Sequence, residues 1–178
     1  RGAKGRGMIA GAGRTGGTGI ARQSVNKNRV REDGRIIRLL TPPFDKTTHD
    51  PGYIQGYLPG VRENGAQYTH AALWAVLATA LQGEGDRAFE LFQMLNPITH
   101  ADNPEQVEIY KVEPYVVAAD VYTAKGHQGR GGWSWFHGPA SRIDRTPREG
   151  MLGFRHRGQD LFYGPTLPAS RTNITVVT

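Results

Sequence analysis

Residues 69–96, THAALWAVLATALQGEGDRAFELFQMLN, carry the strongest helical pattern of this chain. Thr69 suits an N-cap, and residues 70–82 are apolar nearly all round, which predicts a deeply buried helix. A glycine-rich link ends that helix. Residues 87–96 then repeat apolar side chains at helical spacing, with Asp86 placed to cap them. Because the link is short, we expect the two helices to form an antiparallel hairpin.

Other segments predict further helices and a small β region. One helix is expected at about 114–123 and another across 139–151, although Pro147 is unfavourable inside a helix. Residues 41–68 form a long irregular segment, and its four aromatic side chains favour an ordered loop. After Gly153 the pattern becomes typical of short strands, at residues 154–157, 161–163 and 174–177.

The beginning of the chain differs in composition from the rest. Residues 1–31 hold eight of the 22 Lys and Arg residues and no acidic one, which leaves 14 basic against 16 acidic side chains elsewhere. A basic, Gly-rich segment buries too little apolar surface to offset chain entropy, so residues 1–28 are interpreted as a disordered tail. The remainder divides into a helical body at 29–152 and a β-rich end at 153–178.

The tail contains a GxGxxG pattern at residues 11–16. A dinucleotide site needs a buried strand before this pattern and an amphipathic helix after it, and neither is predicted here. Nucleic-acid binding by the basic side chains is an alternative, because Lys and Arg neutralise phosphates. The tail has no aromatic residue to stack on bases, which weighs against that alternative.

Composition also limits the kinds of site that the chain can hold. The 178 residues include no cysteine, which excludes disulfides and thiolate zinc sites. The six histidines show no HxH or HExxH spacing, so we expect no metal. No apolar run approaches the ~20 residues that cross a bilayer, so no membrane span is expected in this chain.

Three short segments combine glycine, aromatic and hydrogen-bonding residues. They are RENGAQYTH at 62–70, YKVEPY at 110–115 and GRGGWSWFHG at 129–138. Each lies beside a predicted helix. The combination suits loops that line a polar pocket, where rings stack on a sugar and Arg, His and backbone N–H groups hold an anion.

These segments resemble the C-terminal part of glycoside hydrolase family 94, the inverting glycoside phosphorylases once called glycosyltransferase family 36. TPPFD at 41–45, GYIQGY at 52–57 and GDRA at 85–88 share the resemblance, which is nearest to the phosphorylase-like domain of cyclic β-1,2-glucan synthases. It spans about residues 30–168, and no counterpart is recognised for the tail. The resemblance implies a mainly α fold, a partial (α/α)6 barrel of helical hairpins followed by a short β segment.

The resemblance also implies a reaction. Family members cleave a β-glucosidic bond with inorganic phosphate as co-substrate and without a cofactor. A carboxylic acid protonates the leaving oxygen while phosphate attacks from the opposite face, which is the inverting arrangement with phosphate in place of water. The family's acid is an aspartate in an Asp-Trp-Asn-Asp-like segment. This chain has no such segment, so we expect it to be inactive alone.

By the resemblance, the phosphate-binding candidates are His70, His137 and Gly138. His70 is placed at a predicted helix start, which favours anions, and a capping or polar core role is the alternative. His137 stands where the family has threonine; it can still donate a hydrogen bond, but it is larger and titratable. Gly138 keeps the backbone freedom needed for close approach.

Seven further residues are candidates for contact with sugar: Arg62, Glu63, Gln67, Glu113, Tyr115, Trp133 and Trp135. Glu113 and Tyr115 match a Glu-Pro-Tyr segment near the family's sugar site, with a helix-start carboxylate as the alternative for Glu113. The arginine and glutamine of the first motif have a surface role as their alternative. At least one of the two tryptophans, and also Trp74, is expected in the core.

The sequence therefore indicates a fragment of a carbohydrate-active enzyme that acts on β-1,2-linked glucan with inorganic phosphate. The upstream part of the barrel is an expected partner. The resemblance implies the cytoplasm of a bacterium, with full-length relatives attached to the inner membrane. The alternatives are a non-catalytic carbohydrate-binding or structural remnant, and a nucleic-acid binder that acts through the basic tail.

Overall fold

The computed structural model describes residues 30–31 and 35–171. Over these ranges the protein is rich in helix and has a few short strands. The predicted disordered tail at 1–28 and the predicted strand at 174–177 lie outside the described residues.

The predicted helical hairpin is confirmed. Helix α1 spans Thr69–Leu81 and helix α2 spans Gly85–Leu95. Full burial of a large aliphatic side chain contributes about 1.5–3 kcal/mol, so the packing of these helices is a main source of stability. The buried cluster that joins them consists of Ile37, Ala72, Leu73, Val76, Leu91, Met94 and Leu95.

Both helices begin differently from the prediction. Tyr68 precedes α1 and gives it no side-chain cap, while Thr69 is the first helical residue. The Thr69 hydroxyl instead accepts a hydrogen bond from Gln67 Nε2 at 3.1 Å. Asp86 lies inside the first turn of α2, and its Oδ1 accepts the Ala169 N–H at 2.8 Å. The predicted caps are wrong because these side chains bond to other parts of the fold.

The predicted helix at 139–151 is confirmed and starts two residues earlier. It is α-helical as α4, His137–Thr146, and continues as a π-helical turn over Pro147–Met151. Proline lacks the N–H that an α-helix interior needs, so a change to π geometry at this position fits its chemistry. The turn packs on α1, where a Cβ at Gly150 would lie 2.8 Å from Leu77 Cδ1.

Helix α1 is less deeply buried than predicted. Trp74 is 40% exposed, so its assignment to the core is wrong. The guanidinium of Arg142 in α4 lies over its ring, with Cζ 4.0 Å from the ring centroid. A charged side chain therefore meets this face of α1, and an arginine that stacks on a ring keeps part of that ring near water.

The predicted helix at 114–123 is wrong, and an unexpected helix lies just before it. Helix α3 spans Pro104–Tyr110, with Asn103 as its cap: Oδ1 accepts the Gln106 N–H at 2.9 Å. Asparagine followed by proline is a recognised helix start. Lys111, with φ of 54°, ends the helix. In 114–123 the backbone pairs with other strands, and this tertiary pairing overrides local helix propensity.

A three-stranded antiparallel sheet forms beside the hairpin. Its order is β3 (Gln67–Tyr68), β4 (Asp120–Val121) and β5 (Gly131–Gly132). The first strand leads straight into α1, so the sheet fixes where that helix begins. Two smaller pairs complete the fold. These are β1 (Val30–Arg31) with β2 (Ile36–Ile37), and β6 (Phe154–Arg157) with β7 (Asp160–Tyr163).

The last hairpin confirms the strands predicted at 154–157 and 161–163. The segment at 41–68 is irregular as expected, with a 3-10 turn at Gly52–Gly56. Among the described residues, no helix is both long and apolar enough to cross a membrane.

Candidate functional site

Backbone hydrogen bonds bring the first and third sequence motifs together. Strand β4 lies between them, paired on one side with β3 of the first motif and on the other with β5 of the third. The pairing continues past the strands, because Thr69 N–H donates to Ala119 O at 2.8 Å and Ala119 N–H donates to Trp133 O at 3.0 Å. The residues that follow the second motif therefore hold the other two motifs side by side.

Two of the phosphate candidates are neighbours. His70 is the second residue of α1 and Gly138 is the second residue of α4. A Cβ built on Gly138 would lie 2.8 Å from His70 Nδ1, so the glycine backbone lies directly against the imidazole. The N-termini of the two helices consequently meet at this point.

Neither helix N-terminus is capped by a side chain. The first N–H groups of a helix lack partners within the helix and carry partial positive charge, which favours anions. His137, the first residue of α4, is exposed beside this point. Burial, and secondarily the charge of Arg142, lower the pKa of His70. Its ring is therefore neutral near pH 7 and offers one N–H donor and one acceptor.

Arg62 is the most heavily engaged side chain of the first motif. It is only 9% exposed, so the surface alternative for it is wrong. Its Nε lies 3.7 Å from Asp120 Oδ2, and its Cζ lies 3.5 Å from the centroid of the Trp133 ring. Its Nη1 donates a long hydrogen bond of 3.4 Å to the hydroxyl of Tyr57. Its φ of 48° is uncommon for a non-glycine residue.

Asp120 is a site residue that the sequence reasoning missed. Its side chain is 1% exposed, and it lies on the central strand β4. Burial raises the pKa of Asp120 to about 6, while Arg62 opposes the shift and Glu63 adds to it. The signal was present in the sequence, because an aspartate inside the apolar run VVAADVY must bury its carboxylate if that run is a strand.

Both tryptophans of the third motif are exposed, so the expectation that one of them belongs to the core is wrong. Trp133 is 61% exposed and Trp135 is 69% exposed. Their φ angles are 52° and 64°, which is unusual for bulky side chains. Backbone strain of this kind costs of order 1–3 kcal/mol per residue and is concentrated at functional sites. Exposed rings on a strained backbone support a ligand-facing role.

The other polar residues of the first motif build the loop. Gln67 is 1% exposed, so the surface alternative is wrong for it too. Its Oε1 accepts the Ile37 N–H at 3.2 Å and its Nε2 donates to Thr69, which fits a structural role better than contact with sugar. Glu63 is half-buried, and its Oε2 is buried without a hydrogen-bond partner among the described residues. Its charge raises the pKa of Tyr53.

The second motif contributes less to this cluster. Glu113 and Tyr115 are exposed in a turn in which the Val116 N–H donates to Glu113 O at 3.0 Å. No described contact links either side chain to His70 or to Arg62, and both stay predictions. No group of three His, Asp or Glu side chains suited to a metal occurs within residues 35–171.

Comparison with known proteins places this arrangement in a class of carbohydrate-active enzymes. Residues 2–153 match the catalytic domain of the glycosyl hydrolase 94 superfamily, and the chain belongs to this family. The match begins at residue 2. It therefore includes residues 2–28, for which no counterpart was recognised from the sequence.

Three relatives illustrate the range of the family. The chain is 51% identical over 149 residues to cyclic beta-(1,2)-glucan synthase NdvB of Rhizobium meliloti, which covers 84% of this chain and 5% of that protein. It is 31% identical to N,N'-diacetylchitobiose phosphorylase of Vibrio furnissii, over 79% of this chain and 17% of that protein. It is 28% identical to solabiose phosphorylase of Paenibacillus borealis, over 72% and 16%. The chain thus spans less than a fifth of each of these three relatives.

Proposed function

We propose that this chain forms the phosphate- and sugar-facing part of a family 94 catalytic domain that acts on β-1,2-linked glucan with inorganic phosphate. The phosphorylase relatives support phosphate as co-substrate. The name of the 51% identical relative supports the β-1,2 linkage. The general acid is absent from the sequence, so the chain alone releases no glucose 1-phosphate.

The observation that carries this proposal is the contact between His70 and Gly138. It joins two helix N-termini without side-chain caps, which together offer one anion a positive potential and the N–H donors that follow Thr69, whose own N–H bonds Ala119 O. A neutral imidazole adds one donor. In an inverting phosphorolysis, phosphate must be held as the attacking group next to the anomeric carbon. The two helix N-termini at the His70–Gly138 contact are proposed to bind phosphate in this way, and no enzyme nucleophile is required.

The sugar is proposed to lie next to the phosphate, over the exposed rings of the third motif. Aromatic faces with a few placed polar groups are typical of ligand sites. Arg62 and Glu63 supply a donor and an acceptor at the same place, and Glu113 and Tyr115 are proposed to reach the sugar from the second motif.

The architecture proposed for the complete domain is an (α/α)6 barrel, of which the α1–α2 hairpin and α4 form a part. Its remaining helices, absent from this chain, would supply the acid and cover the exposed face of α1. The cytoplasm of a bacterium stays the proposed location, on the family resemblance alone.

Phosphate binding at the His70–Gly138 contact is tested by calorimetric titration of inorganic phosphate into the chain. We expect Gly138→Ala to abolish measurable binding, since its Cβ would displace the His70 ring. Gly164→Ala is the matched control, because a Cβ there meets nothing within 4 Å. Equal phosphate affinity in the two variants would contradict the assignment.

The claim of inactivity has its own assay. The chain is incubated with β-1,2-glucan oligosaccharide and phosphate, and glucose 1-phosphate is measured by ³¹P NMR. No product is expected. Robust release by the purified chain would show that an acid exists within it.

A non-catalytic carbohydrate-binding role is the second candidate, and the exposure of both tryptophans favours it. It is distinguished by the effect of phosphate on glucan affinity. Binding that phosphate strengthens supports a retained part of the catalytic site, whereas binding that ignores phosphate supports the second candidate. The nucleic-acid alternative depends on the tail, and salt-sensitive DNA binding lost on deleting residues 1–28 would support it.

A further inference from the structure

The cluster of Arg62, Asp120 and Trp133 contains a buried carboxylate, that of Asp120, to which the proposed function assigns no role. The guanidinium and the carboxylate are both almost fully buried, at 10% and 1% side-chain exposure. Nε and Nη2 of Arg62 and Oδ1 of Asp120 have no hydrogen-bond partner among the described residues. Buried charges are costly unless a partner compensates them, so their retention needs a reason beyond stability.

The geometry shows what each member does to the next. Asp120 is held on the central strand β4, whose two neighbours fix its backbone. Its Oδ2 lies 3.7 Å from Arg62 Nε, within reach of an ion pair. Arg62 in turn lies over the Trp133 ring, with Cζ 3.5 Å from the ring centroid. A planar guanidinium both pairs with a carboxylate and stacks on an aromatic face, which lysine does not do.

Nothing else described restrains the Trp133 ring as closely. Its backbone is fixed by the hydrogen bond from Ala119, but its side chain is 61% exposed. Its aromatic neighbour among the described residues is Phe136, edge-on at 6.2 Å between ring centroids. The guanidinium therefore covers part of one face and leaves much of the ring open to a ligand.

The glycine at position 132 leaves room on β5 for the side chains of Asp120 and Tyr122. A Cβ on Gly132 would lie 2.6 Å from Asp120 Oδ1 and 2.3 Å from the hydroxyl of Tyr122. A larger residue at this position would displace the Tyr122 ring, the Asp120 carboxylate or both. Glycine at this position thus preserves the position of Asp120.

We propose that Asp120 is a positioning residue, whose carboxylate fixes the Arg62 guanidinium against the indole of Trp133 and so sets the orientation of this exposed ring. Ligand contact belongs to Trp133 and Arg62, while Asp120 acts through them. The consequence for sugar binding rests on the proposed function, but the orientation of the ring does not.

The proposal makes ring orientation depend on pH. The charged and titratable groups around Asp120 are Arg62 and Glu63 from the loop, Tyr68 from β3 and Tyr122 after β4. The pKa values of both tyrosines are raised, so these phenols stay neutral in weak acid. Protonation of Asp120, with its pKa of about 6, removes the ion pair and releases the guanidinium.

The test follows the indole N–H signal of Trp133 in ¹H–¹⁵N NMR spectra from pH 4.5 to 8, assigned with Trp133→Phe. In the unmodified chain we expect the signal to titrate with a midpoint near 6. Asp120→Asn should hold it at the low-pH position throughout, and Asp120→Glu should restore part of the titration. Asp144→Asn, which changes an exposed carboxylate paired with Arg148, is the control and should match the unmodified chain.

The same variants separate this inference from the proposed function. With β-1,2-glucan oligosaccharide as probe, Asp120→Asn should weaken binding about tenfold, the effect of roughly one lost charged interaction. The affinity for inorganic phosphate should stay unchanged. If the unmodified chain binds no glucan, the proposed function fails, while the NMR titration still decides the role of Asp120.

A Trp133 signal that is the same in Asp120→Asn and in the unmodified chain at pH 7.5 would overturn the inference. If Asp120→Asn does not fold, the titration of the unmodified chain decides instead. A Trp133 signal that does not move between pH 5 and 7 then overturns it.

Discussion

Replacing Asn64 with alanine is expected to loosen the loop that carries the first motif. The Asn64 side chain is fully buried and makes three hydrogen bonds. Its Oδ1 accepts the Phe44 N–H at 2.6 Å, and its Nδ2 donates to Phe44 O at 3.3 Å and to Tyr57 O at 2.8 Å. One amide thus ties residues 44 and 57 to the loop next to Arg62.

The expected loss follows from these bonds. A hydrogen bond contributes about 1 kcal/mol net, and a buried partner left without one costs more. Losing three gives about 3 kcal/mol, before any cavity is counted. The free energy of unfolding of a domain is about 5–15 kcal/mol, so this loss is a large share of it. At roughly 2–4 °C per kcal/mol, the melting temperature should fall by about 6–12 °C.

Urea denaturation measures the change in unfolding free energy, and hydrogen exchange measures the Phe44 amide. Asn103→Ala is the matched control, since Asn103 is exposed and its side chain caps α3 through one bond to Gln106. Loss of such a cap costs about 1 kcal/mol. If Asn64→Ala is no more destabilising than Asn103→Ala, or if Phe44 exchange is unchanged, the hydrogen bonds of Asn64 do not hold this loop.

Three further outcomes are expected. Gly60→Ala should destabilise the fold by more than about 2 kcal/mol in thermal unfolding, because φ is +89° and a Cβ would lie 2.4 Å from a backbone nitrogen of a neighbouring loop. Because folding raises the pKa of Asp120 from 3.8 to about 6, the folded state binds more protons between these values, so this group makes stability fall as pH rises through 6. Asp120→Asn should remove that slope in urea titrations, and an unchanged slope would contradict the assignment. Arg142→Ala should raise the pKa of His70 in an NMR titration, since Arg142 lowers it, whereas Arg148→Ala should leave it unchanged.

Local sequence pattern predicted the helices whose apolar spacing and end signals agree. The α1–α2 hairpin, α4 and the β6–β7 hairpin were all confirmed. The helix predicted at 114–123 was wrong because an apolar run does not distinguish a buried strand from a helix. One of its two partner strands, β3, lies more than 50 residues before it in the sequence. Helix α3 was missed although Asn103 and Pro104 mark its start.

The candidate site was also predicted only in part from the sequence. Motif resemblance named His70 and Gly138 as candidates, and the structure places them in contact. Trp74 and at least one of Trp133 and Trp135 were predicted to lie in the core, but all three are exposed. The prediction was wrong because composition does not say which side of a chain the rest of the fold covers. Contact of Glu113 and Tyr115 with sugar stays a prediction.

The family, the helical hairpin and the residue types able to hold an anion and a sugar could be inferred from the sequence. These depend on local spacing and on short motifs that do not need a partner. The folded chain was needed to show that Asp120 lies beside Arg62, that Arg62 lies over the Trp133 ring and that two helix N-termini meet at Gly138. Those contacts join residues distant in sequence. Burial and pKa depend on which groups surround a residue in space. Here the pairing of β3, β4 and β5 determines which groups surround Asp120.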